Sequence, residues 1–379
     1  MAASQGPPAI RRPEVREVAL PLATEPAFRP ALTVKWPLRT SVCEGHSVRG
    51  MDMGARGATK MIPKKIIDRL VCSECGRPVD EVGEGKGTCC PEGHLHLMRD
   101  GYLDCAAPAT FGGTTERTLA SFGFEWNNFD DVREEDAGFA DVYFRDVDLA
   151  GLAGKVGLDA GCGKGRYTRF LAEHLEVLAA LDGSSAVESA ARNLAEFSNV
   201  VVVKSDLRAA PFAEESFDFV SSLGVLHHLD DPRAGFERLV RYLAPGGQLL
   251  LYLYSRPSQP GLRSSALTAA ALLRRFTVQV PHRLLRALSV PIAAALYAGV
   301  VVPGELGDRW RVSPLSGLPM DAYRKKPFRS LVLDTFDRLS APVEHRYVWS
   351  ELEPWFGAAG LVVEAARDET GWFVLARKP

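Results

Sequence analysis

Short apolar runs that stop at a polar or acidic residue recur at Val156–Leu158, which ends at Asp159, at Val177–Leu181 and at Val200–Lys204. Continuous apolar character over about five residues predicts strands covered on both faces, as in a parallel sheet. A fifth strand is expected at Gln248–Tyr254, past a fourth around Phe217–Val220. Two longer apolar stretches, Ala266–Val280 and Leu284–Val302, predict helices punctuated by Arg274, Arg275, Arg283 and Arg286. Near the end, Trp349–Phe356 reads as a short helix that packs Trp355 and Phe356 inward. Leu361–Ala366 and Gly371–Ala376 then read as an antiparallel hairpin. Residues 1–60 are rich in Pro, Ala and Arg without a sustained apolar period, and are expected to be poorly ordered. Met51 and Met61 lie just before the patterned region and are alternative starts.

The strand ends carry the chemistry. The first strand runs into Asp159-Ala160-Gly161-Cys162-Gly163-Lys164-Gly165, whose alternating glycines predict a tight turn that lets a ligand approach the backbone closely. The second stops at Asp182 and the third at Ser205-Asp206-Leu207. Open α/β sheets bind ligands beyond the carboxyl ends of their strands, so Asp159, Asp182 and Asp206 are expected to converge on one crevice. Asp182 lies near the roughly 20-residue spacing at which a carboxylate accepts from both hydroxyls of a ribose. Asp206 suits an adenine amino group, with Leu207 beside the ring. The dinucleotide fingerprint G-x-G-x-x-G fits less well, because Arg166 stands where its third glycine belongs.

Asp159-x-Gly161-x-Gly163-x-Gly165, Asp182-x-Ser184 and Ser205-Asp206-Leu207 resemble the cofactor motifs of class I S-adenosylmethionine-dependent methyltransferases with a type 11 core. Phe217-Asp218-Phe219-Val220, Gly224-Val225-Leu226-His227-His228-Leu229 and Leu243-Ala244-Pro245-Gly246-Gly247 continue that pattern, over about residues 120–379. The resemblance implies a Rossmann-like α/β fold with a seven-stranded sheet, and S-adenosylmethionine as cofactor. Its binding residues would be Asp159, Gly161, Gly163, Gly165, Asp182, Ser184, Asp206 and Leu207. Phe122-Gly123-Phe124-Glu125-Trp126 resembles the helical lead-in that covers the cofactor in small-molecule members, which would place Trp126 near the methionine end. An aromatic anchor docking a helix on the sheet is an equal reading of Trp126.

Composition narrows the partners. Lys and Arg number 45 against 47 Asp and Glu, so no global basic field advertises nucleic acid. Seven cysteines, four of them within residues 72–90, do not resemble an even secreted framework. They suggest a metal site in a reducing compartment, and no apolar core of signal-peptide type follows the start, so a cytoplasmic protein is expected. Cys72-Ser73-Glu74-Cys75 supplies one knuckle and Cys90-Pro91-Glu92-Gly93-His94 the other, the spacing of a structural zinc site. Cys89 competes with Cys90, and His96 with His94. The C-P-x-G-H turn and Gly101-Tyr102 resemble the ribbon of bacterial ribosomal-RNA guanine-N1 methyltransferases, which favours Cys72, Cys75, Cys90 and His94 as ligands.

The expected organisation is an extension (1–60), a zinc-ribbon-like module (61–110), a cofactor-binding core (111–254), a helical lid insertion (255–330) and a terminal helix and strands (331–379). The lid is apolar, which suggests an apolar or lipid-like acceptor. Its second helix holds about 17 apolar-leaning residues interrupted by Ser289 and Pro291, near the lower limit for a span. No transmembrane span is expected, and membrane-surface contact stays open. A run from Asp337 through Ser340 and Pro342 to His345 resembles a segment of small-molecule enzymes. His345 and His228 are the candidate bases, since histidine titrates near neutrality. The leading expectation is methyl transfer to a small molecule. An rRNA or tRNA base methyltransferase that docks through the ribbon, and a non-catalytic cofactor-binding interaction protein, are the alternatives.

Overall fold

A computed structural model describes residues 61–83, 85–106, 114–129, 134–257, 262–318, 320, 323–324 and 326–379. The expected extension at 1–60 lies outside them. Eleven strands are present: β1 (Asp80–Val82), β2 (Gly87–Cys89), β3 (Leu95–Arg99), β4 (Tyr102–Asp104), β5 (Val156–Ala160), β6 (Val177–Asp182), β7 (Val200–Lys204), β8 (Phe217–Leu223), β9 (Leu243–Leu253), β10 (Val362–Asp368) and β11 (Trp372–Arg377). They form one sheet in the order β1-β2-β3-β4-β7-β6-β5-β8-β9-β11-β10. From β7 to β9 the strands are parallel, and β11 inserts antiparallel between β9 and β10.

β5 is buried at all five positions because the sheet is covered on both faces. Alternate residues feed two cores. Leu158, Ala179 and Leu181 pack on one side with Phe236 and Leu239 of the helix Pro232–Tyr242. Leu178 and Ala180 pack on the other with Leu171, Val187 and Ala190 of the helices Arg166–Ala172 and Val187–Asn193. Chain order runs outward from β5 to β7 and then returns to place β8 beside β5. That reversal opens a crevice at the carboxyl ends of β5 and β8.

The expectation of seven strands accounts for β5 to β11 alone. The cysteine-rich segment supplies four more, because β4 pairs in parallel with the outer edge of β7 (Tyr102 beside Val202). Val71 N also donates to Pro211 O. The cysteine-rich segment is therefore continuous with the main sheet, and it covers an edge that would otherwise present unpaired backbone groups.

Between β9 and β10 the chain forms the helices Leu262–Thr277, His282–Leu296 and Phe328–Ser340. The second is longer than the sequence suggested. It passes Pro291, makes a π turn at Tyr297–Val301 and continues as Val302–Trp310, giving a 29-residue rod. Pro303 follows directly after the π turn; its missing N–H is what such a turn accommodates. Leu285, Phe336 and Leu339 form one small core of this insertion, joined by Phe124, and Ala293, Val301, Leu331 and Val332 form another. The terminal helix Trp349–Ala358 buries Phe356 as expected.

Candidate active site and metal centre

At the crevice lies a cavity of ≈ 980 Å³, partly open to solvent. Its floor is the glycine turn (Gly161 to Lys164), one wall is Asp182 to Ser184, and another is Ser205 to Leu207. Leu223 to Val225, His228 and Leu229 close the far side. The roof is the helix Thr114–Asn128, which presents Thr115, Thr118, Leu119, Phe122 and Trp126 to the cavity. These residues fall three or four apart, one face of a helix. The aromatic motif at 122–126 marked part of this roof in the sequence. Thr115, Thr118 and Leu119 were legible only through that spacing.

The turn is shaped for close approach. Gly161 has φ +87°, and a Cβ there would meet Val225 Cγ2 at 2.2 Å, so no side chain fits. A Cβ at Gly163 would sit 3.1 Å from the Trp126 indole nitrogen, which places Trp126 directly over the turn. Asp182 holds this arrangement together. One carboxylate oxygen accepts from Gly163 N at 2.9 Å, and the other accepts from Ser184 N at 2.8 Å and Ser184 Oγ at 2.6 Å. Asp206 lines the cavity while accepting from Arg208 Nη2 at 2.7 Å and Arg208 N at 2.9 Å.

Asp159 differs from expectation. It is absent from the cavity lining and lies 2% exposed beneath the turn, accepting from Thr168 Oγ1 at 2.6 Å and Ser221 Oγ at 2.9 Å. Only Asp182 and Asp206 of the three carboxylates reach the crevice. Gly165 is also turned away, and starts the helix Arg166–Ala172 against Leu194. Burial raises the Asp159 carboxyl to about 6, opposed by its two hydroxyl donors. A raised folded-state pKa means that the native protein holds this proton more tightly than the unfolded chain. The associated stability is present at low pH and lost as pH rises from about 4 through 6. The loss is on the order of 2–3 kcal/mol. Asp159→Asn, which keeps the shape without titrating, is expected to remove this component from the difference between denaturation curves at pH 4 and pH 7. Parallel pH dependence in both proteins would refute it.

The two histidine candidates part ways. His228 lines the cavity, 4% exposed, against the Phe122 ring at 4.8 Å. Its Nδ1 lies 2.7 Å from Val343 O, and because a carbonyl only accepts, Nδ1 carries the hydrogen and Nε2 the lone pair. Burial lowers its pKa to about 4, so the ring is neutral at pH 7. His345 is not part of the lining; its backbone N donates to His227 O at 2.8 Å, tying the segment after the insertion to the β8 loop.

A second buried polar group lies behind the roof, unforeseen in the sequence. Glu125 on the roof helix is 2% exposed, and its Oε2 has no hydrogen-bond partner among the described residues. Burial, then the charges of Asp337 and Asp334, push its carboxyl well above the ordinary range. Asp337 on the helix Phe328–Ser340 is raised to about 7 by burial, then by Asp334 and Glu344. Tyr254 Oη lies 3.5 Å from its Oδ2. No spacing rule links residues 125, 254 and 337; the insertion folding back over the sheet brings them together.

At the opposite edge of the sheet, Cys72, Cys75, Cys90 and His94 present their ligand atoms within 4.8 Å of one another. Cys75 Sγ and Cys90 Sγ are 3.6 Å apart, and His94 Nδ1 is 3.5 Å from Cys72 Sγ and 3.4 Å from Cys90 Sγ. A tetrahedron with zinc–sulfur bonds of about 2.3 Å and zinc–nitrogen bonds of about 2.1 Å has edges of roughly 3.6–3.8 Å, so this donor set fits zinc. Cys89 Sγ faces Cys90 O at 3.3 Å instead. His96 Nε2 reaches only Cys72 Sγ, at 3.5 Å.

Residues 158–251 match the family described as "Methyltransferase domain", so the chain carries such a domain. The Pseudomonas paraeruginosa ubiquinone biosynthesis O-methyltransferase is 36% identical over 110 residues, which is 28% of this chain and 47% of that protein. The Clavibacter sepedonicus demethylmenaquinone methyltransferase is 34% identical over 116 residues, 30% of this chain and 47% of that protein. The chain thus spans about half the length of these curated relatives. Among solved structures, the Burkholderia thailandensis 1,6-didemethyltoxoflavin-N1-methyltransferase covers 79% of this chain and 98% of its own at 13% identity and a TM-score of 0.42.

Proposed function

We propose that the protein is an S-adenosylmethionine-dependent methyltransferase acting on a small-molecule acceptor, with a structural zinc in its ribbon. The observation that carries this reading is Asp182, held at the mouth of the glycine turn in a cavity roofed by Trp126. Asp182 would take the ribose diol, Asp206 and Leu207 the adenine edge, and the backbone at Gly161 and Gly163 the amino-acid end. Bound there, the cofactor supplies an electrophilic methyl on a sulfonium. The leaving thioether needs no acid, so the protein's contribution is alignment and exclusion of water.

Phe122, Leu223, Val225 and Leu229 furnish the dry walls this requires. His228 presents a neutral Nε2, fixed by the Nδ1 bond to Val343 O, that can accept a hydrogen bond from an acceptor hydroxyl or amine. The insertion is read as a lid, because its Phe336 packs on Phe124 and Phe129 of the roof segment. One curated relative is named for ubiquinone biosynthesis and the other for demethylmenaquinone, which makes an apolar ring-bearing acceptor the favoured class.

RNA docking through the ribbon has less support. Residues 61–106 hold six Lys and Arg against eight Asp and Glu, the wrong sign for a phosphate-binding platform. Purified protein given methyl-tritiated S-adenosylmethionine is expected to label an organic-solvent extract and to leave total RNA unlabelled. Label in RNA would overturn the acceptor class, and cofactor binding without label anywhere would overturn turnover.

A further inference from the structure

The insertion exposes apolar side chains on a scale that packing among the described residues does not explain. Leu272, Leu273 and Phe276 on the helix Leu262–Thr277 are 51%, 55% and 74% exposed. Leu284, Leu288, Val290 and Ile292 on the next helix, and Trp310 at its end, are exposed as well. The rod His282–Trp310 rests on the protein through Leu285, Ser289, Ala293 and Val301, spaced at multiples of four, and through Gly304 and Gly307 near its end. Between Arg286 and Glu305 the rod carries no charged residue, and its outward surface there is mainly Ala, Val, Leu and Ile.

Charge says what covers this surface. Residues 262–316 contain seven arginines, no lysine and two acidic residues. Among the described residues, Arg275, Arg283, Arg309 and Arg311 are exposed and none has a carboxylate partner, whereas Asp308 is taken by Arg324. Exposed leucine and aromatic residues beside unpaired arginines are the composition of helices lying in a lipid interface, where acyl chains receive the apolar face and anionic headgroups the cations. A basic patch for nucleic acid would not need Leu272, Phe276 and Leu288 in water.

We propose that the helices Leu262–Thr277 and His282–Trp310 form a docking surface for an anionic lipid bilayer, lying in its plane. The rod is long enough to cross a membrane, but crossing would strip Leu285, Ala293 and Val301 from the helix Phe328–Ser340 on which the insertion is built. The turn joining the two helices borders a cleft lined by Val278, Val280, Pro281 and His282 with Arg117 and Ala120 of the roof helix. Docking therefore sets the bilayer beside the cavity's roof. The inference does not need the methyl-transfer reading and can fail separately from it.

Flotation of the full chain with vesicles tests it. Binding is expected to phosphatidylcholine vesicles containing phosphatidylglycerol, to fall steeply in phosphatidylcholine alone and to weaken with salt. The variant Leu272→Glu/Phe276→Glu/Leu288→Glu should lose flotation while its circular dichroism and its affinity for S-adenosylmethionine are kept. Should that variant misfold, Arg275→Gln/Arg283→Gln/Arg311→Gln is the second test. About fivefold weaker binding to anionic vesicles is expected for each arginine removed. Four results would overturn the proposal: no flotation, undiminished flotation of both variants, retention in vesicles after an alkaline carbonate wash, or tighter binding to RNA than to anionic vesicles.

Discussion

Replacing Asp182 with alanine is expected to weaken S-adenosylmethionine binding by at least about 100-fold, measured by titration calorimetry. Two effects add. The carboxylate now restrains the turn through Gly163 N and the adjoining loop through Ser184 N and Oγ. Hydrogen bonds to a charged group contribute about 1.5–3 kcal/mol each, so losing one such restraint and the diol acceptor together reaches that figure. Asp182→Asn keeps the shape and one acceptor oxygen, and should fall between the two. Ser184 Oγ also bonds Ala186 N, so the helix that follows keeps its start in either variant. Unchanged affinity in the alanine protein would remove the ribose assignment. Absence of any heat with wild-type protein would remove the cofactor itself.

The largest effect on stability is expected at the ribbon. The purified protein should contain about one zinc per chain, and Cys72→Ser/Cys75→Ser should contain none by elemental analysis. Structural zinc contributes roughly 10–16 kcal/mol to the folding of isolated small zinc domains. Here part of that is replaced by sheet pairing, since β4 stays hydrogen-bonded to β7. The double variant is nonetheless expected to melt at least about 10 °C lower, because losing even a few kcal/mol shifts a domain of this size by several degrees per step. Its damage should reach the core, as Cys72, Cys90 and Cys105 pack in the same buried cluster as Leu103, Val201 and Val203. Zinc-free wild-type protein, or identical melting of the variant, would refute the metal centre.

Much of this was legible in the chain. The apolar runs ending at Asp159, Asp182 and Lys204 located β5, β6 and β7 to within a residue, because a strand covered on both faces is apolar along most of its length. The closing hairpin was read from the same regularity. The glycine turn and the cluster of Cys72, Cys75, Cys90 and His94 were legible because both depend on residues close in sequence, where backbone geometry limits what spacing can mean. Asp159 was misplaced for a related reason. Its position at a strand end was correct, but strand direction does not say whether the last side chain faces the ligand or the layer beneath.

What the sequence determined alone is the order of the elements, the turn that admits a ligand and the clustering of thiols, each a property of a few neighbouring residues. Only the tertiary structure decided that the ribbon continues the sheet, since edge pairing between β4 and β7 leaves no mark in either strand. It also brought Glu125, Tyr254 and Asp337 into one buried group and left the arginine-flanked faces of the insertion in solvent. Those outcomes depend on contacts between segments distant in the chain. Their free energy comes from burial, which no local pattern records.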